Sequence, residues 1–237
     1  MSTAGVEFGI VAALPREVAA LVRGWRAGSV QGLPSFECGN AVLVCAGTGI
    51  ARAQLAAKAL VEKSYPKVLI SIGFVGSCSA EFMPGAIVVP ASVVEFATGK
   101  SSSTAFGRGC LVTVDKVAGP GLKRCSAARF GAQIVDMEAA GVASIAADFG
   151  KEFLAIKAIS DGASDDLSFL EGFVRPEGFA TGRFIAHIAM HPMLWGRVAG
   201  LQRGSKLAVS ALHAAVAECL ADPQAFREKH SAVLVKH

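Results

Sequence analysis

Apolar residues occur along this chain in short unbroken blocks, separated by alanine-rich stretches of helical period and by glycine-bearing turns. The block at 7–14 (EFGIVAAL) reads as a buried strand, and Pro15, Arg16 and Glu17 then open a helical pattern with Val18, Leu21 and Val22 on its apolar face. Segments 35–38 and 41–46 read as a hairpin turning at Gly39-Asn40. Gly47-Thr48-Gly49 forms a tight turn into a helix over 51–63, which Pro66 stops ahead of a strand at 67–72. Further strands are predicted at 87–89, 110–114 and 153–160, the last with Lys157 inside it. Surface loops are predicted at 97–109 and 119–121, and a helix at 136–149. Beyond residue 190, Leu194, Val198, Leu201, Val209, Leu212 and Val216 recur at three- and four-residue spacings, which predicts a helical region. Buried strands alternating with helices predict an α/β fold with a parallel sheet.

Size and composition narrow this further. The 237 residues suit one domain: a core over about 6–190, a helical extension over 191–221 and a tail over 222–237. Hydrophobic residues make up 52% and charged residues 18%, which excludes a disordered chain. The net charge of +4 is spread without like-charge blocks, so no nucleic-acid partner is expected. The six cysteines form no CxxC pair and sit among apolar or small residues, which predicts buried free thiols in a reducing cytoplasm. The block at 8–14 has the hydrophobicity of a signal-peptide core, but no basic residue precedes it and Glu7 flanks it, so a first strand is expected instead.

In open α/β sheets ligands bind beyond the carboxyl ends of the strands. Four segments are expected there: Glu17, Gly73-Phe74-Val75-Gly76, Ser160-Asp161-Gly162, and Asp136-Met137-Glu138 at the start of a helix. Three separated carboxylates suit cleavage of a glycosidic bond, in which one protonated acid neutralises the leaving group and anions stabilise a positively charged transition state. Each has an ordinary alternative: Asp161 a helix N-cap, Glu138 a first-turn helix acid, Glu17 a solvated helix residue. Spacing alone does not choose between these.

Together the segments resemble the purine nucleoside phosphorylase and uridine phosphorylase superfamily. The resemblance covers about residues 6–190 and rests on GIVAALPREVAAL (9–21), AGTGIARAQLAA (46–57), VLISIGFVGS (68–77) with PGAIVV (84–89), VDMEAAGVA (135–143) and IKAISDGAS (156–164). It implies a three-layer αβα fold around a central mixed, mostly parallel sheet, and an enzyme that cleaves the N-glycosidic bond of a purine nucleoside. By similarity to the methylthioadenosine and adenosylhomocysteine nucleosidases, Asp161 donates a proton to N7 of the base, oriented by Ser160. Glu138 hydrogen-bonds the ribose hydroxyls, Met137 packs on the sugar, and Glu17 activates the attacking water. The chain departs from those nucleosidases in a short stretch between Val89 and Val135, which leaves Val117 or Ala118 where an aromatic clamps the base. Gly73 and Phe74 replace a serine-bearing turn, so Phe74 is expected against base or sugar. Lys157 stands in place of an arginine, and Ser71 and Phe74 occupy the positions of a phosphate-holding arginine and serine. Thr48 and Arg52, at a helix N-terminus, offer a non-standard phosphate site. Attack by water and attack by inorganic phosphate as co-substrate therefore both stay open, and no cofactor is implied.

A nearer likeness is to the hopanoid-associated phosphorylases, a group thought to remove adenine from an adenosylated hopane lipid. It rests on VTVDKVA (112–118), VRPEG (174–178) and the basic C-terminal helical region. This implies a lipid-linked nucleoside substrate and peripheral membrane contact through Arg197, Arg203 and Lys206; a solvated helix face or a contact in a homo-oligomer are the alternatives. His187 and His191 have a zinc-compatible spacing but no third ligand, so no metal is expected. A non-catalytic nucleoside- or lipid-binding module on the same fold is the competing reading.

Overall fold

The computed structural model describes residues 6–175, 178–179, 191, 193 and 195–231. Eleven strands form one mixed sheet: β1 (Phe8–Ala12), β2 (Arg26–Val30), β3 (Leu33–Cys38), β4 (Ala41–Cys45), β5 (Val68–Ser77), β6 (Ile87–Val88), β7 (Ser92–Glu95), β8 (Ser101–Ser103), β9 (Cys110–Thr113), β10 (Ala132–Asp136) and β11 (Glu152–Asp161). A two-stranded ladder, β12 (Val174–Arg175) and β13 (Gly178–Phe179), stands apart. Among the described residues the α-helices are α1 (Pro15–Val18), α2 (Ile50–Ser64), α3 (Pro120–Phe130), α4 (Ala139–Asp148), α5 (Trp195–Ala221) and α6 (Pro223–Ser231).

β1 lies between β4 and β5, parallel to both, and β11 runs parallel along nearly the whole of β5. These strands are buried on both faces, which is why they read as unbroken apolar blocks. Odd and even positions separate cleanly. Val11, Val42, Val44 and Leu69 pack with α2 and α4. Ile10, Leu43, Ile70 and Ile156 pack with Ala208, Leu212 and Val216 of α5. The sheet thus carries helices on both faces, as the sequence implied. The margins are antiparallel, as in the β2–β3–β4 meander and the β7–β8 hairpin.

Several expectations change. Gly73–Gly76 does not follow a strand; it lies inside the ten-residue β5. Likewise Ser160 and Asp161 are the last residues of β11, so Asp161 is not a helix N-cap. Asp136 ends strand β10 instead of beginning a helix, and α4 starts three residues later, with Glu138 at its N-cap position. Segment 97–109 contains β8, and the expected loop at 119–121 is the start of α3. α5 is part of the core layer, and residues 223–231 of the expected tail form α6. It is anchored by Phe226, which is fully buried and edge-on to Phe106 at 6.1 Å. Cys45 and Cys219 are buried free thiols as expected, whereas Cys38 and Cys125 are exposed.

Candidate active site

A cavity of about 700 Å³ opens where β5, β10 and β11 end against α5. Its wall contains Glu17, Thr48, Phe74, Val117, Met137, Glu138, Ser160 and Asp161, which the sequence placed far apart. Gly73 and Arg52 are not part of that wall, whereas Thr48 is. The sequence reading assigned no site role to Arg16, Lys116, Lys123, Gln202 or Ser205 and expected Lys206 at a membrane surface; all six line the cavity.

β5 bridges two polar groups. A Cβ on Gly73 would lie 3.6 Å from Glu17 Oε2 and 3.9 Å from Lys157 Nζ. A Cβ on Gly76 would lie 2.8 Å from both Asp161 Oδ2 and Lys123 Cε, so only glycine fits there without displacing the pair. Three residues along a strand span ~10 Å, and this separates the two groups.

The first group is a set of carboxylates around one lysine. Lys157, 1% exposed, pairs with Asp136 Oδ2 at 2.9 Å and donates to Ser71 Oγ at 2.9 Å. Asp136 also accepts from Thr113 Oγ1 at 2.7 Å and from the Ala139 N–H at 2.9 Å, so it caps α4 from the strand. Glu138 accepts the Gly49 N–H at 3.0 Å and, on its other oxygen, the Met137 N–H at 3.3 Å. Gly49 turns the chain into α2 with φ +97°, a conformation side chains rarely tolerate. Its N–H belongs to the helix N-terminus expected to hold phosphate, and it is already given to a carboxylate. Glu138 is pushed up to about 7, first by burial and then by the charge of Asp136, against the pull of Lys157. Glu17 accepts the Leu14 N–H at 3.2 Å, and burial pushes its carboxyl above the usual range. His213 of α5 contacts the Glu17 carbonyl at 2.8 Å.

The second group is Ser160, Asp161 and Lys123. A register shift in β11 between Ile159 and Asp161 breaks the alternation that would otherwise set the facing of Asp161. Ser160 Oγ donates to Asp161 Oδ1 at 2.6 Å, and Lys123 Nζ donates to Asp161 Oδ2 at 2.5 Å. Burial raises the Asp161 carboxyl, while Lys123 and the Ser160 hydroxyl pull it the other way.

Much of the remaining wall is apolar: Phe74, Val75, Val114, Met137, Leu167, Leu170, Leu201 and Val209. Lys206 belongs to this wall and Arg203 is exposed on the same helix; the Arg197 side chain and His187 lie outside the described residues, as does part of 174–178. Among the described residues no helix is long and apolar enough to cross a membrane.

A family model described as the phosphorylase superfamily matches residues 7–123 and 101–175. No curated protein sequence matches the chain. Among solved structures, 5′-methylthioadenosine/S-adenosylhomocysteine nucleosidase of Neisseria meningitidis in complex with methylthio-immucillin-A superposes with a TM-score of 0.69. It is 16% identical, over 91% of this chain and 98% of that one. Futalosine hydrolase of Helicobacter pylori gives a TM-score of 0.67 at 15% identity, over 92% of this chain and 100% of that one. A variant of the Helicobacter pylori nucleosidase with 5′-methylthioadenosine in its active site gives 0.65 at 16% identity, over 90% and 99%. At such identities the likeness is one of fold.

Proposed function

The chain belongs to the phosphorylase superfamily, and from that premise we propose that it hydrolyses the N-glycosidic bond of a purine nucleoside, with adenine as the favoured base. The observation that carries this reading is the cavity itself: an acid at one end and paired carboxylates ~10 Å away along β5, the separation of a base from the far side of its sugar. Asp161 protonates the base at N7; its second oxygen is an acceptor suited to the neighbouring exocyclic amine of adenine. Glu138 accepts hydrogen bonds from the ribose hydroxyls, and Met137 and Phe74 enclose the sugar. Ser160 orients Asp161, and Val117 faces the base. The sugar gains positive charge as the bond breaks, and the carboxylates beside it stabilise that charge.

Two features favour water over phosphate as the attacking group. The Gly49 N–H at the start of α2 is occupied by Glu138, and Ser71, at the position expected to hold phosphate, accepts from Lys157. Glu17, whose carboxyl burial makes more basic than usual, is suited to take a proton from water. The apolar wall from Leu167, Leu170, Leu201 and Val209 supports a greasy substituent on the sugar, as an adenosylated hopane would carry. Release of free base from a panel of purine nucleosides, with and without phosphate, tests the proposal. Equal rates without phosphate support hydrolysis; strict phosphate dependence would make the reaction phosphorolysis; no release from any nucleoside, adenosylhopane included, would refute it.

A further inference from the structure

Lys123 has no part in the reaction as described above, yet its placement is the least ordinary feature of the cavity. It is 1% exposed, on α3, a helix whose other buried residue is Ser126. Its ammonium donates to three oxygens: Asp161 Oδ2 at 2.5 Å, the Gly162 carbonyl at 2.6 Å and the Asp165 carbonyl at 3.4 Å. Three donors meeting three acceptors fix the ammonium in one orientation. An ammonium is costly to bury, and an apolar side chain would fill the same space. Gly76 leaves room for the pair, since any larger residue would meet both Asp161 and Lys123.

We propose that Lys123 is a positioning residue that supplies, through Asp161, the proton delivered to the departing base. The inference rests on the glycosidic reading above. It follows from counting protons. The other groups facing the pair do not change its charge. The Asp165 carboxylate accepts the Gly162 N–H at 2.8 Å, and the Cys78 thiol is pushed up to about 11 by burial and stays neutral. Arg124 and Arg129 on α3 are exposed, and Asp136 of the adjoining β10 is paired with Lys157. Lys123 and Asp161 therefore hold a carboxylate beside an ammonium. A second proton on Asp161 would sit against that ammonium. The proton already in the pair serves instead. As the C1′–N9 bond breaks, its electron pair moves onto the base. Lys123 Nζ passes its proton to Asp161, and N7 takes that same proton from Asp161, which ends as the carboxylate it began as. Lys123 is left as a neutral amine and recovers its proton from solvent; the proton lost by the attacking water goes to Glu17.

A purine nucleoside methylated at N7 tests this, because its base departs neutral without being protonated. The pH profile of kcat/KM is measured for wild type and Lys123→Met on an ordinary purine nucleoside and on its N7-methylated form. The expected loss on the ordinary substrate at alkaline pH is on the order of 10²-fold, and at least about tenfold larger than the loss on the methylated one. The basic limb of the Lys123→Met profile moves to lower pH, because Asp161 must then carry the proton alone. Lys123→Arg, which keeps the charge but does not release its proton, loses the ordinary substrate in the same way. Lys123→Gln, with a donor retained for the Gly162 carbonyl, carries the same expectation as Lys123→Met should that variant not fold. Equal losses on the two substrates, or an unmoved basic limb, would overturn the inference while leaving the glycosidic reading intact. Wild type that releases base from neither substrate would overturn both.

Discussion

Replacing Glu138 by Gln is expected to raise stability at pH 8 while removing activity. Glu138 is held at about 7 in the folded protein against an ordinary value of 4.5, because burial and Asp136 disfavour its charge. A carboxyl raised in this way leaves stability intact below pH 4.5, where both folded and unfolded chains carry the proton. Between pH 4.5 and 7 the unfolded chain ionises first, and stability falls with each unit. At ~1.4 kcal/mol per unit, the full loss is on the order of 3 kcal/mol above pH 7. Glutamine carries no such penalty. It keeps an acceptor for the Gly49 N–H at 3.0 Å but presents an amide where the Met137 N–H is accepted at 3.3 Å. One lost or mismatched hydrogen bond costs about 1–2 kcal/mol. The net expectation is a gain on the order of 1–2 kcal/mol at pH 8 and a small loss at pH 4.5. Urea unfolding at the two pH values reads both, and nucleoside cleavage by the same protein is expected to fall at least about 10²-fold. A variant destabilised equally at both pH values would refute the claim that Glu138 is held uncomfortably charged for function.

Other substitutions probe the remaining elements. Asp161→Asn keeps the shape of the acid but cannot deliver its proton; base release should fall ~10²–10⁴-fold, with binding of a nucleoside analogue by calorimetry changed only a few-fold. Lys157→Met leaves Asp136 buried without its cation and is expected to cost about 3 kcal/mol in urea unfolding. That is the low end for a broken buried pair, because the Thr113 and Ala139 donors remain. Phe226→Ala should cost about 3–5 kcal/mol by the same measurement, a loss that removing an anchor from a packed helix explains and removing a residue from a loose tail does not.

The parallel heart of the sheet was legible because its strands are apolar on both faces, and nothing competes with that pattern at Phe8–Ala12, Ala41–Cys45 or Glu152–Asp161. The end of β5 was read five residues too early. Gly73 and Gly76 look like a turn in sequence, but in the structure they are places where two ion-bearing groups press against a continuing strand. α3 was not seen because its buried residues are Lys123 and Ser126, so the helix has no apolar stripe to show. The same fact hid Lys123, since a lysine between leucine and arginine reads as a solvated charge. Phe226 was the lone apolar anchor in a polar segment, too little for periodicity to register. At the site, Asp161, Glu138 and Glu17 stood out near element ends, but that placement suited an ordinary helix acid or cap equally well, and only the likeness of the surrounding motifs to the superfamily singled them out. Two of their partners come from 38 and 89 positions away, Lys123 for Asp161 and Gly49 for Glu138, and no local pattern encodes those.

The central claim is that Asp161 and the carboxylates across the cavity break a nucleoside at its glycosidic bond. Chromatographic measurement of free adenine released from adenine nucleosides in phosphate-free buffer, by wild type and by Asp161→Asn side by side, tests it most directly. The account predicts steady adenine release by wild type and its near abolition in the variant; no release by wild type, or equal release by both proteins, would contradict it.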